Sequence, residues 1–128
     1  MENRETAMPE TRTYIHPAGR VEIIDSKTEW DISVTGSLEM RKDPDGGNAL
    51  LLRNTAFPDQ IGTGTTWDEA LASLSDLLEA YIVTFLEKNG LVAFEDRLVE
   101  NGFDRAAGLD LGVWMPPLKF EVAYRPTT

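Results

Sequence analysis

The chain reads as α+β: an antiparallel sheet of about four strands with one long helix packed on it. Three observations say so. Residues 31–41 alternate apolar and polar with a period of two. The turn-forming run Asp43-Pro44-Asp45-Gly46-Gly47-Asn48 follows, and a short apolar segment returns from it. From Trp67 onward, apolar residues recur at the spacings of one helical face. The expected order is strand, strand, strand, helix, helix, strand (β-β-β-α-α-β).

The first stretch, residues 1–19, is rich in Glu, Thr, Pro and Arg without an apolar period, and predicts a loose arm. Residues 20–128 then form a single domain. Val21-Glu22-Ile23-Ile24 predicts a short strand on the domain's edge. Over 31–41, Ile32, Val34, Leu38 and Met40 face one way, with Gly36 on their side; Asp31, Ser33, Thr35, Ser37, Glu39 and Arg41 face the other. That is the pattern of an antiparallel strand with one wet face. In the turn, proline sets φ and the glycines accept positive φ. The unbroken apolar run Ala49-Leu50-Leu51-Leu52-Arg53 predicts a central strand, covered in part on both faces. Phe57-Pro58-Asp59 breaks the chain, and Gln60-Ile61-Gly62-Thr63 makes a short third strand.

The long helix is bounded at both ends. Thr66-Trp67-Asp68-Glu69 has the form of a capping box, in which Thr66 accepts from the Glu69 N–H and Glu69 reaches back. Asn89-Gly90 supplies the stop. Trp67, Ala70, Leu71, Leu74, Leu77, Leu78, Tyr81, Ile82, Phe85 and Leu86 form the face directed at the core. A shorter helix over 91–101 presents Leu91, Phe94, Leu98 and Val99. Residues 103–117 read as loop. Leu118 to Tyr124 alternates again and predicts the last strand.

This order resembles the HicB-like antitoxin family over about residues 31–88. Pro58, Gly64, Thr66, Glu69 and Ala70 fall where the family segment carries proline, glycine, threonine, glutamate and alanine. Asp59 and Gln60 stand where it has glycine and cysteine. Residues 89–128 carry no ribbon-helix-helix or helix-turn-helix appendage. The resemblance implies a partial ribonuclease H-like fold with the last strand beside the first. It also implies a non-catalytic antitoxin that neutralises a small basic ribonuclease toxin of the HicA type.

Composition limits the chemistry. Twenty-two acidic residues against 12 basic ones give a net charge of −10, which repels a nucleic-acid backbone and steers basic protein partners inward. With no cysteine, thiolate metal sites and Cys/His catalysis are ruled out; His16, the one histidine, lies in the polar N-terminal stretch and is not read as part of a Ser/His/Asp arrangement, and no cofactor is expected. A two-metal nuclease needs carboxylates converging from several elements. The 31–39 strand has no central acid, the last strand offers Glu121, and Glu69 and Glu79 suit a cap and a solvated face. Asp43–Asn48 lacks the glycine and glutamate positions of a calcium loop. Gly62-Thr63-Gly64-Thr65 lacks the P-loop lysine.

The chain is thus expected to be a cytoplasmic, non-enzymatic binding module that contacts neither nucleic acid nor membrane. The alternative is a stand-alone regulatory or structural homo-oligomer of the same fold. The residues singled out for partner binding are Asp43 and Asp45 in the hairpin turn, Asp59 and Asp68 around the helix start, and Trp30 and Trp114 near element ends.

Overall fold

The computed structural model describes residues 9–106 and 117–126. Among these, eight strands and one long helix form two antiparallel sheets against the helix. The larger sheet holds β1 (Glu10–His16), β2 (Gly19–Asp25), β3 (Trp30–Gly36), β7 (Asp104–Arg105) and β8 (Leu118–Tyr124), in the order β7-β1-β2-β3-β8. The smaller holds β4 (Glu39–Lys42), β5 (Leu50–Arg53) and β6 (Ile61–Gly64), in that order. The helix, α1, spans Trp67–Glu100 and breaks at Gly90, where φ is 87°. Only glycine reaches that conformation without strain, so the predicted stop is realised as a redirection of the helix.

Register assigns the faces. Ile32 pairs with Ile23 on one side and with Val122 on the other; Val34 pairs with Val21 and Phe120. Directly paired residues share a face, so Tyr14, Val21, Ile23, Ile32, Val34, Leu118 and Val122 form one buried layer. Leu91, Phe94 and Leu98, from the second part of α1, are buried in the same core cluster. Each such aliphatic side chain contributes roughly 1.5–3 kcal/mol relative to leaving it in water. In β2, β3 and β8 the opposite face is chiefly polar, with Arg20, Glu22, Asp31, Ser33, Thr35, Lys119 and Glu121 on it.

Several expectations are corrected. The sheet of about four strands is two sheets of five and three. The alternating stretch 31–41 is not one strand: it divides into β3 and β4, which belong to different sheets. Met40 is consequently 51 % exposed. The segment around Val21–Ile24 lies in the middle of the larger sheet, not at its edge. Residues 10–16, within the expected loose arm, form β1. Its residue Arg12 makes a bidentate pair with Glu95 of α1, at 2.6 and 2.9 Å, and Tyr14 Oη donates to the same carboxylate at 2.7 Å. A run of polar residues hid this strand because its inward side chains bury a charge pair. The guanidinium is held well above its ordinary pKa by that carboxylate, and burial raises the Tyr14 phenol. The predicted loop 103–117 begins with Phe103, buried in the core, and with β7, paired to β1.

The division between β3 and β4 coincides with a buried polar contact from elsewhere in the chain. Asn54 is 1 % exposed and is the buried polar residue among those described. Its Nδ2 donates to Ala18 O and Ser37 O, both at 2.7 Å, and its Oδ1 accepts from Ala56 N at 2.9 Å. Ser37 N also donates to Ala18 O. One side chain therefore joins the β1–β2 turn, the β3–β4 junction and the β5–β6 connection. Gly36 makes room for it: a Cβ there would lie 2.5 Å from Asn54 Nδ2 and 2.8 Å from Ala18 O.

Asn54→Ala removes the side-chain donor to the part-buried carbonyls of Ala18 and Ser37 and leaves the buried Ala56 N–H without its acceptor. The expected loss is about 2–4 kcal/mol in urea unfolding, and a loss below about 0.5 kcal/mol would remove Asn54 from this role. His16, beside this turn, gives a pH-dependent counterpart. Its Nδ1 accepts from Ala18 N at 2.9 Å, its ring lies 5.1 Å from Phe103, and burial holds its pKa below the ordinary 6.5. Between the lowered folded value and the unfolded one, the unfolded chain binds the extra proton. Stability is therefore fully present above pH 6.5 and falls as pH drops toward the folded value. Urea titrations between pH 7.5 and 5.5 should show that fall in the wild type and a flatter profile for His16→Asn.

Candidate functional site

The first part of α1 starts as its sequence dictates. Thr66 Oγ1 accepts from Glu69 N at 3.1 Å. The Glu69 carboxylate accepts from Thr65 N at 2.9 Å and from Thr65 Oγ1 at 2.8 Å, so its return contact goes one residue further back than the simple capping box. These donors, led by the Thr65 backbone N–H, hold its carboxyl below the ordinary range. Asp68 and Glu69 complement the positive end of the helix.

β6 runs back along this helix at very short range. A Cβ on Gly62 would lie 2.4 Å from Leu74 N, and one on Gly64 would lie 2.5 Å from Glu69 Cβ. Ala70, fully buried, permits the approach from the helix side. Thr63 N donates to Ser73 Oγ at 3.1 Å, which satisfies part of the strand's outer edge. The two elements differ in length, however. A four-residue strand is roughly 13 Å long, whereas the helix over 67–89 extends roughly 34 Å. Past Gln60 the helix has outrun the strand.

The part of the helix that β6 does not reach forms an open groove of about 390 Å³ among the described residues. Leu77, Ala80, Tyr81 and Phe85 supply its apolar surface; Gln60, Thr84, Lys88 and Asn89 supply polar groups. Leu77 is 41 % exposed. The aromatic residues are held in place rather than loose. The rings of Tyr81 and Phe85 lie 6.2 Å apart, Phe85 is 6.1 Å from buried Phe94, and the Arg97 guanidinium sits 5.1 Å from the Phe85 centroid. Fixed aromatic side chains with polar neighbours make up the common anatomy of a protein-binding surface.

The singled-out residues do not form one cluster. Leu50 pairs with Lys42 and Gly64, so the hairpin turn bearing Asp43 and Asp45 and the helix start bearing Asp68 share one end of the smaller sheet. Asp43 is engaged locally, with Oδ1 accepting from Asp45 N at 2.9 Å. Asp59 lies at the other end, in the turn whose Gln60 lines the groove. Trp30 is half-buried on β3 and stacks on Tyr124, centroids 5.6 Å apart. Trp114 lies outside the described residues. Trp67, expected in the core, is 40 % exposed, and Val99, expected in the second apolar stripe, is 56 % exposed. Leu77, Tyr81 and Phe85 were legible only as part of a core face. The signal lay in its breadth: with Leu78, Ile82 and Leu86 also apolar, the stripe is wider than one short strand can cover.

Among the described residues no three His, Asp or Glu side chains gather as metal ligands, and no helix is long and apolar enough to cross a membrane. Glu121 lies exposed on the outer face, within 3.4 Å of Ser33 Oγ. Asp31 nearby is raised above its ordinary pKa by desolvation and by the charges of Glu29 and Glu121. Compared with known proteins, the chain matches no family model, no curated protein and no solved structure.

Thr66→Ala should cost about 1 kcal/mol in thermal or urea unfolding through the lost cap. An unchanged melting curve would mean that the close packing of β6 alone sets the helix start.

Proposed function

We propose that this chain is a non-catalytic protein-binding module that neutralises a small basic protein, by its HicB-like resemblance a ribonuclease toxin of the HicA type. The groove along α1 carries this reading: an apolar surface of exposed Leu77 and of half-buried Tyr81 and Phe85, whose rings contact each other. Such a surface binds by burying fixed aromatics at low entropic cost. The net charge of −10 supplies long-range attraction for a basic partner. Asp59, exposed beside the groove, is placed to meet a basic side chain at the rim. Further support comes from the chain order over 31–88, where the strand expected at 31–41 is divided into β3 and β4 and is followed by β5, β6 and α1. In this reading the module acts in the cytoplasm by occlusion and needs no cofactor.

The second reading, a stand-alone homo-oligomer of the same fold, is favoured by a different observation: the side of β8 with which no strand pairs among the described residues.

Copurification of the tagged chain from its own cells tests the first reading. The expected result is a stoichiometric small basic protein whose ribonuclease activity is blocked in the complex. Leu77→Glu and Tyr81→Glu should each weaken that complex by about 2 kcal/mol, close to 30-fold in Kd, with the circular dichroism spectrum unchanged. If no basic protein is recovered, or if both variants bind as the wild type does, the groove is not a toxin-binding surface.

A further inference from the structure

β8 pairs with β3 along its whole length, and among the described residues no strand pairs with its other side. Backbone parity shows which groups that side presents. Gly19 is paired with Gly36, and Ser37 N donates to Ala18 O at 3.1 Å. Residue 37 therefore points its backbone at the β1–β2 turn, and Gly36 points its own toward β8. In an antiparallel ladder the two directions alternate. Leu118, Phe120, Val122 and Tyr124 thus bond to β3. Lys119, Glu121 and Ala123 direct their N–H and C=O groups outward.

The side chains make this edge self-complementary. Lys119 and Glu121 are exposed on the outer face and flank Phe120. We propose that the protein forms a symmetric dimer by antiparallel pairing of β8 with β8 of a second copy, with the two-fold axis at Phe120. In that register Lys119 stands opposite Glu121 of the partner subunit, and Glu121 opposite the partner's Lys119. Both are hydrogen-bonded pairs, so the outward backbone groups of 119 and 121 are satisfied. Leu118 opposes Val122 of the partner subunit on the inner face. Phe120 meets its own copy as a non-hydrogen-bonded pair, with Cα atoms about 4.5 Å apart. Pro117, which has no N–H, limits the ladder at its end.

Neighbouring registers fit less well. An axis at Glu121 or at Lys119 sets like charges directly opposite each other, which destabilises a strand pair. An axis nearer Tyr124 shortens the ladder, and Arg125 there already pairs with Glu29 at 3.1 Å. A lone lysine on an edge strand guards against pairing; a lysine and a glutamate placed symmetrically about one residue favour pairing in a single register. The inference does not depend on whether a toxin partner exists.

Sedimentation equilibrium of the full chain at about 50 µM tests it. The expected mass is about 28.6 kDa, twice the chain's 14.3 kDa. Lys119→Glu and Glu121→Lys should each raise the dimer Kd at least about tenfold, since each sets like charges opposite. An equimolar mixture of the two variants should regain dimer mass as a heterodimer, and so should the double swap within one chain. Both positions are exposed, and circular dichroism checks that each variant folds. Phe120→Cys, in a chain without cysteine, should form a covalent dimer on oxidation, because the expected Cα separation lies within the range of a disulfide. A wild-type monomer, a dimer indifferent to both reversals, or a mixture that stays monomeric would each overturn the proposal.

Discussion

The side chain of Asn54 is the contact on which the rest of this architecture depends. Folding brings three chain connections to one buried point: the turn at Ala18, the junction at Ser37 and the connection at Ala56. Each carries a backbone group that the amide of Asn54 bonds, and a buried group without a partner costs free energy comparable to a lost hydrogen bond. An asparagine suits the position because its amide both donates twice and accepts. A leucine of similar size would fill the volume, leave Ala56 N without its acceptor, and take a donor from Ser37 O and one of the two donors from Ala18 O. The clamp also dictates Gly36, since any side chain there would occupy the space of the amide. One polar residue in an apolar core thereby ties the two sheets together at a fixed point.

Charge performs a similar task at the other end of the larger sheet. Arg12 and Glu95 retain 10 % and 13 % side-chain exposure, and Tyr14 shares the carboxylate. Paired in this way, the ions offset part of the desolvation that burial imposes. Their effect on architecture is to hold β1 against the second part of α1. That part reaches the sheet because Gly90 redirects the helix. In so acidic a chain, a buried arginine surrounded by Glu10, Asp25 and Glu95 is well matched to its surroundings.

The groove and the open strand follow from lengths rather than from special residues. β6 is pressed onto α1 by two glycines and is too short to follow it. What remains of the helix is an apolar face whose Phe85 contacts Phe94, Arg97 and Tyr81. β8 covers the flank of β3 and leaves its own flank uncovered among the described residues. The two surfaces differ in recognition physics. One offers side-chain burial to a partner of another kind; the other offers backbone hydrogen bonds and a charge pattern that matches itself.

The sequence by itself determined the local elements. The hairpin turn at 43–48, the central place of β5, the cap at Thr66, the stop at Gly90 and the strand at 118–124 are all legible because propensity, turn chemistry and periodicity act over a few residues. Tertiary structure decided what those signals cannot carry. Period-two alternation continues across Gly36 and gives no sign that the strand changes sheets there, since the side chain that meets it lies 18 positions later in the chain. The polar spelling of β1 conceals a strand whose inward positions are satisfied by a distant glutamate. The apolar stripe of α1 reads as core throughout, yet beyond the short β6 Leu77 is exposed and Tyr81 half-buried. Helical periodicity records which face is apolar; what covers that face depends on elements brought to it by the fold.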